Sequence, residues 1–305
     1  MWKFASFWIG RSDIIVHLVF IVNPVAGGGR ARRLWPEVEE RLRARRVTWE
    51  RFETERPGHA VELARQAAQA GYNAVVAVGG DGTLNEVVNG VGLGGVPVGL
   101  IPLGTGVDFP RTAGLPKRPQ DALDVVLSGR VTHIDVGIVN GRLFCNVAGT
   151  GFDAQVAARV NETGKKQGGA IPYVKAVFET LFTYENAPLR ITLDGVTHEV
   201  RSLLMAVGNG RFLAGGMMIC PQADLRDGQF DVVIAGDIGK IGTILTLPRV
   251  FNGSHLKHPK VSYHRARQVV VEGPSHLRIQ ADGEMVGNLP ATFELRPRAL
   301  PMLLP

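Results

Sequence analysis

Cysteine is scarce in this chain. Cys145 and Cys220 are the only two in 305 residues, both in apolar surroundings without a CxxC or Cys/His spacing, which excludes a disulfide framework and a cysteine zinc site and fits a reducing cytoplasm. Long apolar runs are missing too. No stretch reaches the roughly 18 uninterrupted apolar residues of a spanning helix. Met1–Gly10 has too short an apolar run, and no clear small-residue cleavage pattern, for an export signal. Internal repeats, low-complexity segments and the composition of disorder are absent. With 45% hydrophobic and 20% charged residues, the chain is ordinary globular material, long enough for two domains with their own cores. Charge of one sign is only mildly in excess, at net +6. That surface attracts anions without choosing among nucleotides, nucleic acid and anionic lipid.

The most informative feature present is Gly79-Gly80-Asp81-Gly82-Thr83, between the apolar run Ala74–Val78 and the helix-like Leu84–Val91. A strand, a glycine turn and a helix N-terminus present unpaired backbone N–H groups and a positive dipole end, as a polyphosphate requires. Asp81 plants a carboxylate in that cradle. Beside phosphate it is repulsive unless a metal lies between them or it takes a proton from an attacking hydroxyl. The plain alternative is a tight strand-to-helix connection. Two further loops of the same kind tip the balance. Val16–Val22 runs into Asn23-Pro24-Val25-Ala26-Gly27-Gly28-Gly29, and Val96–Ile101 into Pro102-Leu103-Gly104-Thr105-Gly106-Val107-Asp108. Glycine loops at the C-terminal ends of parallel strands converge on one crevice, where open α/β sheets bind ligands.

From about residue 14 to 130 strands alternate with helices, predicting a Rossmann-like parallel sheet with covering helices. The helices expected are Ala31–Arg45, His59–Ala70, Leu84–Val91 and Pro119–Ser128. After Val131 short alternating runs separated by Gly, Pro, Asn and Asp turns predict an antiparallel β-sandwich. They include Arg142–Ala148, His198–Val207 and Ala291–Leu295, with helices at Ile171–Tyr184 and Lys240–Phe251. The division expected is an α/β domain over residues 1–135 and a sandwich over 136–305, its last strand free to return to the first domain. The active site is expected in the cleft between them.

Taken as a series, Asn23-Pro24-Val25-Ala26-Gly27, Gly79–Glu86 (GGDGTLNE) and Pro102-Leu103-Gly104-Thr105 resemble the diacylglycerol kinase catalytic domain. The series continues with Gly149–Ala154 (GTGFDA), Gly208-Asn209, Gly215-Gly216, Pro221–Asp231 and Asp282-Gly283-Glu284. Over residues 16 to 295 the chain is most similar to the bacterial lipid kinases related to diacylglycerol and sphingosine kinases.

The resemblance implies an ATP-dependent lipid phosphotransferase: an ATP-binding domain, a lipid-binding sandwich, Mg²⁺, and a peripheral position at the inner membrane surface in the cytoplasm. Nucleic acid is not an implied partner, and a homodimer is compatible. By position, Asn23, Pro24, Val25, Ala26, Gly27, Thr54, Gly79, Gly80, Asp81, Gly82, Thr83, Leu84, Asn85, Glu86 and Thr105 would hold ATP. Asp282 and Glu284, with Asp81, would supply the catalytic carboxylates, and the proton acceptor among them is open. Without the family, Asp282-Gly283 reads as a type I′ hairpin turn. Asp224, Asp227 and Gln229 would form the Mg²⁺ site through the Asp227 carboxylate and the carbonyls of 224 and 229, a hard oxygen set. Arg111, Asp135 and Lys175 would form a polar network near the lipid headgroup, and Phe178, Leu181, Phe182, Phe212 and Leu213 would line an acyl groove.

Two positions depart from the family pattern. Val107 stands where Asn commonly precedes Asp, and Gly28 and Gly29 stand where a basic residue often follows the first glycine. Two other functions compete: a kinase of a soluble substrate such as NAD, and a nucleotide-binding regulator without turnover.

Overall fold

The computed structural model describes residues 17–45, 47–162 and 170–305, with 170–174 by backbone alone. Met1–Gly10, the start of the first expected strand at Val16, and Arg46 lie outside the described residues. The chain divides into two units: residues up to Ile134 together with Arg298–Pro305, and Asp135–Pro297.

In the first unit strands and helices alternate: β1 His17–Val22, α1 Ala26–Ala44, β2 Thr48–Glu53, α2 His59–Gln69, β3 Ala74–Gly79, α3 Asp81–Val91 and β4 Val98–Pro102. Two helices follow, α4 Asp108–Ala113 and α5 Pro119–Ser128. The strands pair in parallel in the order β2-β1-β3-β4. The three inner strands are almost wholly buried runs such as AVVAVG, as a sheet covered on both faces demands. The TWERFE of β2, at the edge, has only Trp49 and Phe52 half-buried among exposed residues.

Gly27, Gly28 and Gly29 all have positive φ. The regular part of α1 therefore starts after them, and Ala31, Trp35, Val38 and Leu42 turn to the core. In two places the sequence reading fell short. Helix α3 begins at Asp81, inside the glycine turn, and the short α4 was not anticipated.

The second unit opens on β5 Val131–Val139, which crosses the division, then β6 Arg142–Phe144, β7 Val147–Gly151, α6 Phe152–Glu162, α7 Ala170–Thr183 and β8 Ala187–Leu193. It continues with β9 Val196–Ser202, β10 Leu204–Gly208, β11 Phe230–Ala235, α8 Lys240–Val250, β12 Val261–Ala266 and β13 Gln268–Glu272. The last strands are β14 Arg278–Ala281, β15 Glu284–Asn288 and β16 Ala291–Leu303.

An antiparallel sheet β12-β11-β10-β7-β14-β15 faces β13, β8, β9 and the first part of β16. Phe144, Met205, Val232, Val269, Ile279 and Phe293 are among the side chains filling the layer between them. The fold class read from the sequence is thus the one observed. The expected run His198–Val207 is two strands in different sheets, broken at Ser202, whose hydroxyl donates to Leu204 O and Ala235 O at 2.9 Å each. Likewise Arg142–Ala148 divides into β6 and β7. Helix α6 was not foreseen.

Candidate functional site

In the first unit, the loops after β1, β3 and β4 meet at the C-terminal edge of the sheet. The Leu103 and Gly104 amides both donate to Gly79 O, at 2.7 and 3.0 Å. Asn23 N–H donates to Val78 O at 3.0 Å, and its amide to Thr83 Oγ1 at 3.2 Å. A methyl group on Gly104 would collide with Gly80 Cα, and one on Gly27 with the carbonyl of Leu103. Glycine here is a condition of the loops touching at all.

Each acidic side chain of the GGDGTLNE segment organises a neighbouring helix start. Asp81 accepts from the N–H groups of Asp108 (3.0 Å) and Phe109 (3.1 Å), capping α4 and fixing the third loop. Burial raises its carboxyl above the ordinary range, while those two N–H groups oppose the rise. Glu86 accepts from Gly58 N–H (3.0 Å) and Ala60 N–H (3.1 Å) at the start of α2, which pins the loop that carries Thr54. Thr83, Leu84 and Asn85 are buried, whereas Val25 and Thr105 are exposed and Thr54 and Gly80 half-buried. The structure therefore brings the expected ATP residues into one loop cluster but divides them. Glycines and loop residues form the rim, and Asp81, Thr83, Leu84, Asn85 and Glu86 brace it from behind.

In the second unit, Asp282-Gly283 is the two-residue turn between β14 and β15, with φ +49° and +85°, the signs a type I′ hairpin requires. The Asp282 carboxylate accepts three main-chain N–H groups, from Cys145 (2.9 Å), Asn146 (3.0 Å) and Val147 (3.1 Å). Glu284 follows, half-buried, at the start of β15.

Behind the turn lies a buried polar chain absent from the sequence reading. Gly283 N–H donates to Gln280 Oε1 at 3.0 Å, and Gln280 Nε2 donates to Asp153 Oδ2 at 3.1 Å. From the other side, Asn161 Nδ2 donates to Gly283 O at 3.0 Å. Burial pushes the Asp153 carboxyl up to about 6, against the hydrogen bond from Gln280. A methyl on Gly149 would approach Asp153 Oδ2 to 2.7 Å, which explains the small residues before it in GTGFDA. The lone Asp153 in the apolar and glycine-bearing GTGFDA was the available signal. Cys145, next to Asp282, is buried and its thiol is pushed up by that burial and by the carboxylate, so it is no nucleophile.

The loop after Pro221 is closed by its own acids. Asp224 accepts from Arg226 N–H (3.0 Å), and Asp227 accepts from Gln229 N–H (3.1 Å), with Arg265 3.7 Å from its other oxygen. Asp135, fully buried, accepts from Gly228 N–H at 2.7 Å. Among the described residues no three His, Cys, Asp or Glu side chains converge as a metal cage. Asp227 is the one carboxylate of the expected Mg²⁺ set, and its two oxygens face Gln229 N–H and Arg265; a single carboxylate with main-chain oxygens is a donor set that Mg²⁺ takes only while keeping most of its water. Asp231 behind the loop is raised to about 6 by burial, against the Tyr263 hydroxyl that donates to it at 2.5 Å. Lys175, exposed on α7, pairs with Glu179 at 3.6 Å. Arg111 is exposed on α4, and its charge acts on Asp81. Leu181 is buried, while Phe178 and Phe182 are exposed.

Two family models cover nearly the whole chain: the diacylglycerol kinase catalytic domain over residues 17–139, and the YegS C-terminal NAD kinase beta sandwich-like domain over 146–304. A diacylglycerol kinase of Staphylococcus haemolyticus (strain JCSC1435) is 35% identical over 277 residues, 90% of this chain and 83% of that one. One from Staphylococcus aureus (strain MRSA252) is 35% identical over 277 residues, 90% of this chain and 87% of its own. The fold matches a crystal structure of a Bacillus anthracis str. Sterne protein with a TM-score of 0.81 at 24% identity, covering 97% of both chains. It also matches a diacylglycerol kinase structure from the same strain at 0.75 and 22%, over 97% and 98% of the two chains. With both models matched in order and relatives at this identity over most of its length, the chain belongs to the diacylglycerol kinase family of lipid kinases.

Proposed function

We propose that this chain transfers the γ-phosphoryl group of ATP to a hydroxyl of diacylglycerol or a related long-chain alcohol at a membrane surface, with Mg²⁺ bound alongside the nucleotide. The observation that carries the reading is the glycine-to-glycine contact of the loops after β3 and β4, at the foot of α3. It leaves main-chain N–H groups and a helix N-terminus as the lining of a phosphate site. Bound Mg²⁺ would supply charge neutralisation at the phosphates. Asp227 and the carbonyls of 224 and 229 are the protein oxygens suited to it.

The remaining chemistry is positioning. The acceptor hydroxyl loses its proton to a carboxylate as its oxygen bonds to the γ-phosphorus, and the bond from that phosphorus to the β,γ-bridging oxygen breaks to release ADP. Asp81 and Asp282 both hold main-chain N–H groups, so they are assigned as positioning residues, and Glu284 is assigned as the base. Arg111, Asp135 and Lys175 are proposed for the headgroup side of the acceptor.

A soluble acceptor such as NAD is the competing reading, because the second family model is described as NAD kinase-like. Incubating the protein with Mg²⁺, ATP labelled at the γ-phosphate and either micellar diacylglycerol or NAD separates the two. The proposal expects label in the lipid; label in NAD alone would replace it.

A further inference from the structure

Helix α8 turns a narrow face, Thr243 and Thr246 with the half-buried Leu247 and Val250, to the core and leaves a second apolar face outside. A helix on the surface of a globular unit turns its apolar stripe to the core and its polar face to water. Here Thr243 and Thr246 are the buried residues, while Ile241 is 76%, Leu245 67% and Ile244 40% exposed, with Phe251 just beyond the helix at 56%. Thr243 tolerates its position because its hydroxyl donates to Gly239 O at 3.1 Å. Nothing comparable favours leaving four large apolar side chains in water, where each forgoes on the order of 1.5–3 kcal/mol of burial. The patch extends to α7. Lys240 Nζ donates to Phe182 O at 2.6 Å, tying the start of α8 to the end of α7, where Phe182 is 66% and Phe178 44% exposed.

The charges on α8 and on the turn after it are of one sign, while the neighbouring elements bring the exposed acids Glu179, Glu185 and Asp237. No Asp or Glu stands between Asp237 and Glu272, a stretch that carries six Lys or Arg. Of these, Lys240 and Arg249 lie on α8, and Lys257 closes the short turn after it, all exposed. On the neighbouring elements Asp237 faces Arg201 at 3.7 Å, and Glu179 pairs with Lys175 and Arg159 at 3.6 and 3.4 Å. An apolar strip with a cationic rim complements a bilayer of anionic phospholipid, with the isoleucine, leucine and phenylalanine side chains at acyl depth and the ammonium and guanidinium groups at the phosphates.

We propose that the exposed face of α8, with Phe178 and Phe182 of α7, is the surface by which this protein docks on anionic membranes. The proposal draws its biological sense from the lipid-kinase reading, but it is tested without turnover. Co-sedimentation of the full chain with vesicles rich in phosphatidylglycerol, in the absence of ATP, is expected to show binding that weakens with salt and is poorer on pure phosphatidylcholine. Ile241→Asn with Leu245→Asn is expected to lower the partition coefficient about tenfold or more with an unchanged circular dichroism spectrum, and Arg249→Gln with Lys257→Gln to weaken binding to anionic vesicles only.

Equal vesicle binding by the wild type and the Ile241/Leu245 variant would overturn the proposal. So would a lipid-independent dimer abolished by the same substitutions. An inert protein that still docks would refute the kinase reading alone, and an active kinase indifferent to these substitutions would refute the docking surface alone.

Discussion

Replacing Asp153 by Asn tests the buried polar chain behind the Asp282 turn. Asp153 is 8% exposed, and burial raises its carboxyl from the ordinary 3.8 to about 6. A carboxyl that binds its proton more tightly when folded stabilises the fold fully only below about pH 4. It loses that contribution as pH rises through about 6, a difference of about 3 kcal/mol. Asn keeps an oxygen for Gln280 Nε2 but sets an amide N–H where Oδ1 has no hydrogen-bond partner among the described residues, at a cost of about 1 kcal/mol. The variant should therefore be more stable than wild type by about 2 kcal/mol near pH 7.5 and less stable by about 1 kcal/mol near pH 4.

All four tryptophans, Trp2, Trp8, Trp35 and Trp49, precede the second unit, so indole fluorescence is the wrong probe. Hydrogen exchange of peptides from β7 and β14, followed through urea titrations at both pH values, reports the right unit. A stability difference that does not change with pH would refute the burial argument for Asp153.

Glu284→Gln should cut turnover by roughly 10²–10⁴-fold with ATP affinity retained, as read by steady-state kinetics and nucleotide titration. Asp282→Asn should cost roughly 1–3 kcal/mol of stability, read by denaturation, because three main-chain N–H groups lose an ionised acceptor. Gly104→Ala forces the third loop off Gly80 and should weaken ATP binding about tenfold or more, a shift of at least about 1.4 kcal/mol, measured by calorimetry. Glu86→Gln should destabilise the first unit by about 1 kcal/mol through the start of α2, visible as earlier loss of the Trp35 and Trp49 signal in urea.

The parallel half was legible because buried strands such as AVVAVG are continuous apolar runs ended by glycine. Where elements change role within a few residues, the pattern blurred. His198–Val207 reads as one run, although β9 ends at Ser202 and β10 begins at Leu204 in the other sheet. Arg296-Pro297-Arg298 looked like the end of a strand, yet β16 continues to Leu303 with Arg298 at φ +49°. Helix α6 hid because it starts at Phe152, directly after the last residue of β7.

At the site, residue types and loops were readable, but the division of labour was not. Asp81, Glu86 and Asp282 look alike on paper as carboxylates in or just after glycine turns. Only geometry shows each accepting specific main-chain N–H groups. The Gln280–Asp153 chain is long-range, between residues 127 apart, and no local pattern announces such a pair.

The most direct test of the central claim is transfer itself: wild type and Glu284→Gln incubated with Mg²⁺, γ-labelled ATP and diacylglycerol in mixed micelles, with lipids resolved by mass spectrometry. The account predicts labelled phosphatidate from wild type and almost none from the variant, at equal nucleotide occupancy. Bound ATP with no label in any lipid, or equal labelling by both proteins, would contradict it.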